Sequence, residues 1–255
     1  MKKLLIIIGF TFVVGSFGLV YWYFNKNIEP ASEPILTDQS ATSTKSSFDK
    51  TPVGQDRNYK GQPMSFLGKT EILSRYPKEF VDNYQQRLAT AINMIQKYPE
   101  DEVYWIELGI VKKTFDNYLG ARDAWEYALL INNRNAVVYY NLGNLYALYL
   151  RDFQKAEAYY KTSVVLDPFS AQSYLALAEF YKNFLKEKYD FVDDILLKGI
   201  ENLPNDGNLI LNLALYYKSV GKKEAAIEYF ERFLELPDLT GTQTEAIQKE
   251  INFLR

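Results

Sequence analysis

The chain has 255 residues, of which 29 are Lys or Arg and 32 are Asp or Glu, and its net charge is −3. It contains no Cys and no His, which excludes disulfides, thiol nucleophiles and thiolate metal sites and removes the commonest general base at neutral pH. The balanced charge gives no electrostatic footprint for nucleic acid, so we expect no nucleic acid among the partners of the protein.

The first feature along the chain is an uncharged run over residues 4–24, which follows Lys2 and Lys3. As a helix with a rise of about 1.5 Å per residue it would span roughly 31 Å, close to the thickness of a bilayer core. Its last four residues are aromatic, which suits the membrane–water interface. We therefore predict a short end at 1–3 and a transmembrane signal-anchor helix at 4–24. A cleaved signal peptide is the alternative, although its apolar part would be only about 7–15 residues long.

The charges on either side of this run predict its orientation. Lys2 and Lys3 precede it, whereas Lys26 behind it is accompanied by Glu29 and Glu33. Because cytoplasmic flanks carry the excess of basic residues, we expect a cytoplasmic N-terminus and an extracytoplasmic location for the remainder of this single-pass protein.

Residues 25–62 have the composition of a disordered linker. They contain Pro30, Pro34 and Pro52, a run rich in Ser and Thr at 40–47, and little apolar periodicity. Such a segment buries too little apolar surface to offset its chain entropy. Residues 63–100 then predict an N-terminal helical cap, with a short helix at 70–73 and an amphipathic helix over 78–97, where apolar side chains recur every three or four residues.

Four segments of similar chemistry follow at a nearly constant distance. Their first anchors are Trp105, Tyr139, Tyr174 and Ile210, at steps of 34, 35 and 36 residues. A period of this size is typical of a stacked repeat array, in which each unit buries its core against its neighbours. Each unit predicts two antiparallel helices. The first helices are placed at 101–114, 136–150, 171–186 and 207–220, and the second helices at 118–131, 153–166, 190–202 and 223–236.

These units resemble the tetratricopeptide repeat family. The family pattern is an aromatic residue, then Leu-Gly, Tyr, Ala, a second aromatic residue and Pro at fixed offsets. The second unit matches it with the following residues: Tyr139, Leu142, Gly143, Tyr146, Ala156, Tyr160 and Pro168. The resemblance implies an all-α, right-handed α-solenoid of about four helix pairs at 101–238, closed by a capping helix at 239–255. Positions 109 and 143 are occupied by Gly, and we expect that a small residue is needed there because two helix backbones approach each other.

The resemblance also implies a protein-binding groove lined by the first helices. The positions that correspond to it are Ile106, Ile110, Lys113, Tyr140, Asn144, Leu148, Leu175, Glu179, Lys182, Leu211, Leu215 and Lys218. Some family members clamp a carboxylate here with Lys and Asn, but this chain has Ile106 and Ile110 at those places. The apolar groove instead suits an extended peptide or a partner helix. A cover formed by the N-terminal helix of the same chain, or by a second copy in a homo-oligomer, is left open.

The sequence offers no catalytic, cofactor or metal site. The acidic run at 100–102 suits the first turn of a helix, where carboxylates complement the helix dipole. Asp193 and Asp194 are sequence neighbours, which point apart on a helix and make a poor acid–base pair. No Gly-rich phosphate loop is present, and no His is available to activate a Ser or Thr. We therefore predict that the protein is not an enzyme and needs no cofactor.

Together these features predict a membrane-anchored scaffold or adaptor that binds another protein or a peptide segment. The resemblance implies bacterial envelope assembly or secretion as its setting. The absence of any Asn-x-Ser/Thr acceptor agrees with a bacterial source. Two alternatives remain open, a receptor or co-chaperone-type adaptor that faces the cytosol, and an accessory subunit of an envelope enzyme.

Overall fold

The structure is a computed structural model that describes residues 59–237 and 239–255. The predicted anchor at 4–24 and most of the predicted linker at 25–62 lie outside the described residues. Every helix within the described ranges is too short or too polar to span a bilayer.

The described residues are organised in helices and contain no strand. Four helix pairs, called units 1 to 4, follow one another: α3–α4, α5–α6, α7–α8 and α9–α10. The helices are α1 Thr70–Leu73, α2 Lys78–Lys97, α3 Glu102–Thr114, α4 Tyr118–Ile131, α5 Ala136–Leu145, α6 Phe153–Leu166, α7 Ala171–Phe184, α8 Val192–Asn202, α9 Gly207–Ser219, α10 Lys223–Leu234 and α11 Gly241–Leu254. A π-helical turn at Tyr146–Leu150 prolongs α5, and a 3₁₀ turn at Lys186–Phe191 joins α7 to α8. The predicted all-α fold is confirmed for this part of the chain.

Short polar side chains explain where most of these helices begin. Asp101 accepts a hydrogen bond from the backbone N–H of Val103, and Asn135 accepts from those of Val137 and Val138. Such caps satisfy amide groups that have no partner within the helix. The remaining side-chain caps are Asn117, Asp152, Ser170, Asp206 and Thr240. The predicted helix bounds lie within two residues of the observed ones, the π turn included.

Each glycine in a first helix lies against an aromatic ring of the second helix in the same unit. A Cβ atom added to Gly109 would lie 2.2 Å from Nε1 of Trp125, and one added to Gly143 would lie 2.6 Å from Cδ1 of Tyr160. The expectation that two backbones approach here is therefore corrected: a ring fills the space. In unit 1, Trp125 also donates its indole N–H to the backbone oxygen of Ile106 at 3.1 Å.

Neighbouring units are joined by tyrosine hydroxyls. Tyr146 in unit 2 donates to Oε1 of Glu126 in unit 1 at 2.8 Å, and Tyr181 in unit 3 donates to Oε1 of Glu157 in unit 2 at 2.6 Å. Each bond runs from the first helix of one unit to the second helix of the unit before it. The polar contacts of the stack therefore connect neighbours in series, as expected for a repeat array.

Residues 59–68, called the strap here, lie against unit 1. Lys112 is fully buried, and its ammonium group donates to the backbone oxygens of Pro63 and Phe66, each at 2.9 Å. The backbone N–H of Gln62 donates to Oδ2 of Asp123 at 2.8 Å, and the ring of Tyr59 lies 4.9 Å from that of Trp105. The folded part of the chain thus includes the last four residues that were assigned to the linker.

The two ends of the stack are closed by amphipathic helices. In α2, Leu88, Ala91 and Ile95 are buried, while the opposite side is formed mainly by exposed Asp, Asn, Gln and Thr residues. In α11, Ile247 and Ile251 are buried beside polar exposed neighbours. A polar outer side ends the series of stacked helices at each end.

Candidate protein-binding face

The twelve predicted groove residues, called the groove face, lie on the first helices of the four units. Within each helix they recur at steps of three or four residues, which places them on one side of it. Ile110, Lys182 and Leu215 are exposed, and Asn144 is buried. The others are half-buried: Ile106, Lys113, Tyr140, Leu148, Leu175, Glu179, Leu211 and Lys218.

Side-chain contacts connect the groove face from one unit to the next. Gln172 in α7 donates from Nε2 to the hydroxyl of Tyr140 in α5 at 2.7 Å. At the first unit, Nζ of Lys113 lies 5.7 Å from the ring centre of Tyr149, which belongs to the π turn. Lys218 in α9 pairs with Glu250 of the terminal helix α11. The first helices therefore present adjacent surfaces rather than four separate ones.

An apolar band runs along the middle of the groove face. Ile106, Tyr140, Leu175 and Leu211 occupy the same position in successive units, and each packs against the core while part of its surface stays accessible. Ile110 in unit 1 is 37% exposed and Leu215 in unit 4 is 42% exposed. Removing such apolar surface from water stabilises a complex by about 25 cal/mol per Å².

Asn144 has its main contact inside unit 2. It is only 9% exposed, and its Oδ1 atom accepts a hydrogen bond from the hydroxyl of Tyr160 in α6 at 2.9 Å. Burial raises the pKa of Tyr160 above its ordinary value of 10.0, with a further contribution from nearby Tyr140, so the hydroxyl stays a donor. This bond fixes the orientation of the Asn144 amide and gives the residue a structural role in unit 2.

The N-terminal helix leaves the apolar band uncovered at unit 1. Helix α2 lies beside α3, where Arg87 donates to both carboxylate oxygens of Glu107 at 2.7 and 3.0 Å. Next to this ion pair is an open cleft that is lined by polar and apolar residues of the two helices, among them Asn83, Gln86 and Val103. Ile110, one turn further along α3, is exposed. Within the described residues, a cover by this helix is therefore not observed.

The acidic runs of the sequence have structural partners. Asp101 caps α3, and Oδ2 of Asp193 lies 3.2 Å from Nζ of Lys222. Between residues 59 and 255, Asp238 aside, no three carboxylates come together in a way that could hold a metal ion. The groove face itself combines apolar side chains with Tyr140, Asn144, one glutamate and three lysines.

The strap was not predicted from the sequence, although a signal for it exists. Units 2, 3 and 4 have Tyr146, Tyr181 and Tyr217 at the position where unit 1 has Lys112. A lysine in place of this tyrosine requires its own acceptors when it is buried. The exception in the repeat pattern therefore pointed to an additional segment at unit 1.

Comparisons with known proteins agree with this architecture. The family model described as Tetratricopeptide repeat matches residues 136–169 and 208–237, which correspond to units 2 and 4. No curated protein sequence matches the chain significantly.

Solved structures with a similar fold include those of three named proteins. PilW, a widely conserved type IV pilus biogenesis factor, is 16% identical, with a TM-score of 0.52 over 72% of this chain and 83% of that one. PilF of Pseudomonas aeruginosa is 16% identical, with a TM-score of 0.53 over 68% and 80%. MamA, residues 41 to the end, from Desulfovibrio magneticus RS-1 is 17% identical, with a TM-score of 0.50 over 66% and 94%. At these identities the similarity is one of fold.

Proposed function

We propose that this chain, a tetratricopeptide repeat protein, is a scaffold or adaptor that binds an apolar segment of another protein on its groove face. The observation that carries the proposal is the apolar band. Ile106, Tyr140, Leu175 and Leu211 recur in successive units with part of their surface accessible, and Ile110 and Leu215 are exposed in the first and last units. A continuous apolar strip on a stable surface is a common mark of an interaction site.

The proposal includes a location beside a membrane. It rests on the uncharged run at 4–24, on the two lysines before it, and on the linker composition of the residues that follow. With this topology the four units lie outside the cytoplasm, and the protein serves assembly or secretion in a bacterial envelope. PilW, a pilus biogenesis factor, shares the fold at 16% identity, which is compatible with such a role without assigning it.

Site-specific photocrosslinking in the native membrane tests the binding surface. A photoreactive amino acid is placed at Leu215 on the groove face and, as a matched control, at Val165 in α6, which is 68% exposed on a second helix. We expect a discrete crosslinked protein from position 215 and none from position 165. Crosslinks of equal yield from both positions, or from position 165 alone, would contradict the proposal.

The topology is tested separately. Since the chain has no Cys, a single Ser40→Cys substitution in the linker provides a unique thiol. The proposal predicts labelling by a membrane-impermeant maleimide added from outside the inner membrane. Labelling only after the cytoplasm is opened would instead support the receptor that faces the cytosol. The alternative of an enzyme subunit would be favoured by a different result: an enzymatic activity of the envelope that is lost when one acidic residue of this protein is changed.

A further inference from the structure

We propose that the segment bound on the groove face is an amphipathic α-helix with acidic residues along one flank. This inference rests on the proposed function and specifies its partner. The feature that points to it is a row of lysines, called the lysine edge here, formed by Lys113, Lys182 and Lys218.

The lysine edge lies beside the apolar band. Each lysine comes seven residues after an apolar residue of the band, namely Ile106, Leu175 and Leu211. Seven residues are almost two helical turns, so each lysine lies on the same side of its helix about 10 Å further along. The three lysines therefore border the band on the side of the turns that join the two helices of each unit. Unit 2 contributes Leu148 and Tyr149 there instead, because the π turn shifts its register.

Lys113 is the member of this edge that most requires an anion. It is half-buried, and burial lowers the pKa of its ammonium group from the ordinary 10.5. Its Nζ lies 5.7 Å from the ring centre of Tyr149, and among the described residues no carboxylate oxygen lies within 4.0 Å of this atom. A partly desolvated cation without an ion pair gains most from a carboxylate that a partner brings.

The other two lysines have partners that a ligand can share or replace. Nζ of Lys182 lies 3.4 Å from Oε1 of Glu179 on an exposed helix surface. Lys218 pairs with Glu250, and both side chains are about one-third exposed. The exposed pair of Lys182 and Glu179 contributes little, since water screens it. At the half-buried Lys218, a carboxylate of the ligand replaces Glu250 or shares the ammonium group with it. The lysine edge thus keeps its attraction for a row of carboxylates.

The relative positions of the apolar band and the lysine edge favour a bound partner that is α-helical over one that is extended. In an extended segment, successive side chains alternate between opposite sides, so when the apolar set faces the groove the polar set faces solvent. In an α-helix, neighbouring residues are separated by about 100°, so acidic residues can flank an apolar stripe and face the lysines beside it. An acidic flank next to the apolar stripe is therefore the pattern that matches both features.

Two synthetic helical peptides test the inference with the full-length chain. They share one apolar stripe of Leu residues, and one peptide has Glu and its twin has Lys at the same flanking positions. We expect the Glu peptide to bind about tenfold more tightly at low salt and to lose this advantage as salt screens the charges. Binding of both peptides with equal affinity would overturn the inference and leave the proposed function standing. If neither peptide binds, the result would count against both the inference and the proposed function.

The lysines themselves are tested in the same assay. The triple variant Lys113→Met, Lys182→Met, Lys218→Met should reduce the preference for the Glu peptide to within about twofold. Lys223→Met, which removes one charge at an exposed position of α10, should keep the preference. The ratio of the two affinities does not depend on the folded fraction, so partial unfolding of the triple variant leaves the test valid. A preserved preference in the triple variant would mean that the lysines only complement the helix dipoles, and the inference would fail.

Discussion

Unit 1 and the units after it differ in the side chain at one equivalent position and in the hydrogen-bond acceptor of that side chain. In units 2 and 3, the hydroxyls of Tyr146 and Tyr181 reach a glutamate on the preceding second helix. In unit 1, Lys112 stands at this position and donates to two backbone oxygens of the strap. A complete unit before it would supply a side-chain acceptor. Among the described residues α1 and α2 precede unit 1 and do not form such a unit, and the strap provides the acceptors instead. The first unit of the stack is thus closed by the strap.

The largest effect is expected where units 1 and 2 agree, at the glycine that lies against an aromatic ring. Gly109→Leu would place a side chain where the ring of Trp125 lies. Since neither the helix nor the ring can move away without loss of packing, we expect a destabilisation of about 3 kcal/mol. Chemical denaturation measures it, with Ala89→Leu on the exposed side of α2 as the control, which should change stability by less than about 0.5 kcal/mol. An equal change in both variants would contradict the observed packing.

The next effect distinguishes unit 1 from unit 2. Lys112→Met leaves the carbonyl of Pro63 without its donor and that of Phe66 with Asn117 as its remaining donor, which should cost about 2 kcal/mol and loosen the strap. Hydrogen exchange of the Gln62 amide, which donates to Asp123, should accelerate at least about tenfold. Tyr146→Phe removes the corresponding bond in unit 2 and should leave this amide protected. If Lys112→Met leaves the exchange of residues 62–67 unchanged, the strap is held by other contacts.

An effect of pH is expected at the junction of units 2 and 3. Burial alone would raise the pKa of Glu157, but hydrogen bonds from Lys161, Lys188 and Tyr181 lower it from 4.5 to about 2. A carboxylate with a depressed pKa in the folded state stabilises fully above 4.5, and this contribution is lost as the pH falls from 4.5 towards 2. We expect a loss of between about 1 and 2 kcal/mol, since Lys161 is exposed and screened. Glu157→Gln should remove this part of the pH dependence, and an unchanged profile would contradict the assignment.

The smallest effect concerns the tight turns between the helices of a unit. Arg151 has φ 59°, where Gly221 in the corresponding turn of unit 4 has φ 76°. Arg151→Gly relieves backbone strain of about 1 kcal/mol but removes the guanidinium from the rings of Phe153 and Phe184, at 5.1 and 5.2 Å. We expect a net change of less than about 0.5 kcal/mol. Arg151→Ala, which keeps the strain and loses the ring contacts, should be the less stable of the two in thermal unfolding.

The sequence predicted the parts of the fold that depend on local spacing. Anchors such as Tyr139 recur with the period of the units, and caps such as Asn135 lie next to the helices they begin, so both are visible in a short window. The strap depends on a contact between Gln62 and Asp123, which are 61 residues apart. No local pattern specifies such a contact, although Lys112 marked its place as a departure from the repeat.

The candidate site was predictable in position but not in burial. The repeat register placed Leu215 and Asn144 on the same kind of helix surface, yet Leu215 is exposed and Asn144 is buried. The difference arises because the hydroxyl of Tyr160 reaches Asn144 from the second helix of unit 2. The distance between two packed helices is a tertiary property, and the spacing within one helix does not contain it. Which of the twelve residues contact a partner stays a prediction.

The most direct test is to change the middle of the groove face and to measure the partner captured by the photocrosslinker at position 215. The double variant Tyr140→Ala, Leu175→Ala removes apolar surface from two adjacent units of the groove face. The control variant Leu130→Ala, Val165→Ala removes two exposed apolar side chains from second helices. We predict that the first variant loses most of the crosslinked partner while its melting temperature stays close to that of the unmodified chain, and that the second variant keeps the partner. Retained crosslinking together with a large fall in the melting temperature of the first variant would contradict the account, because Tyr140 and Leu175 would then serve the core alone.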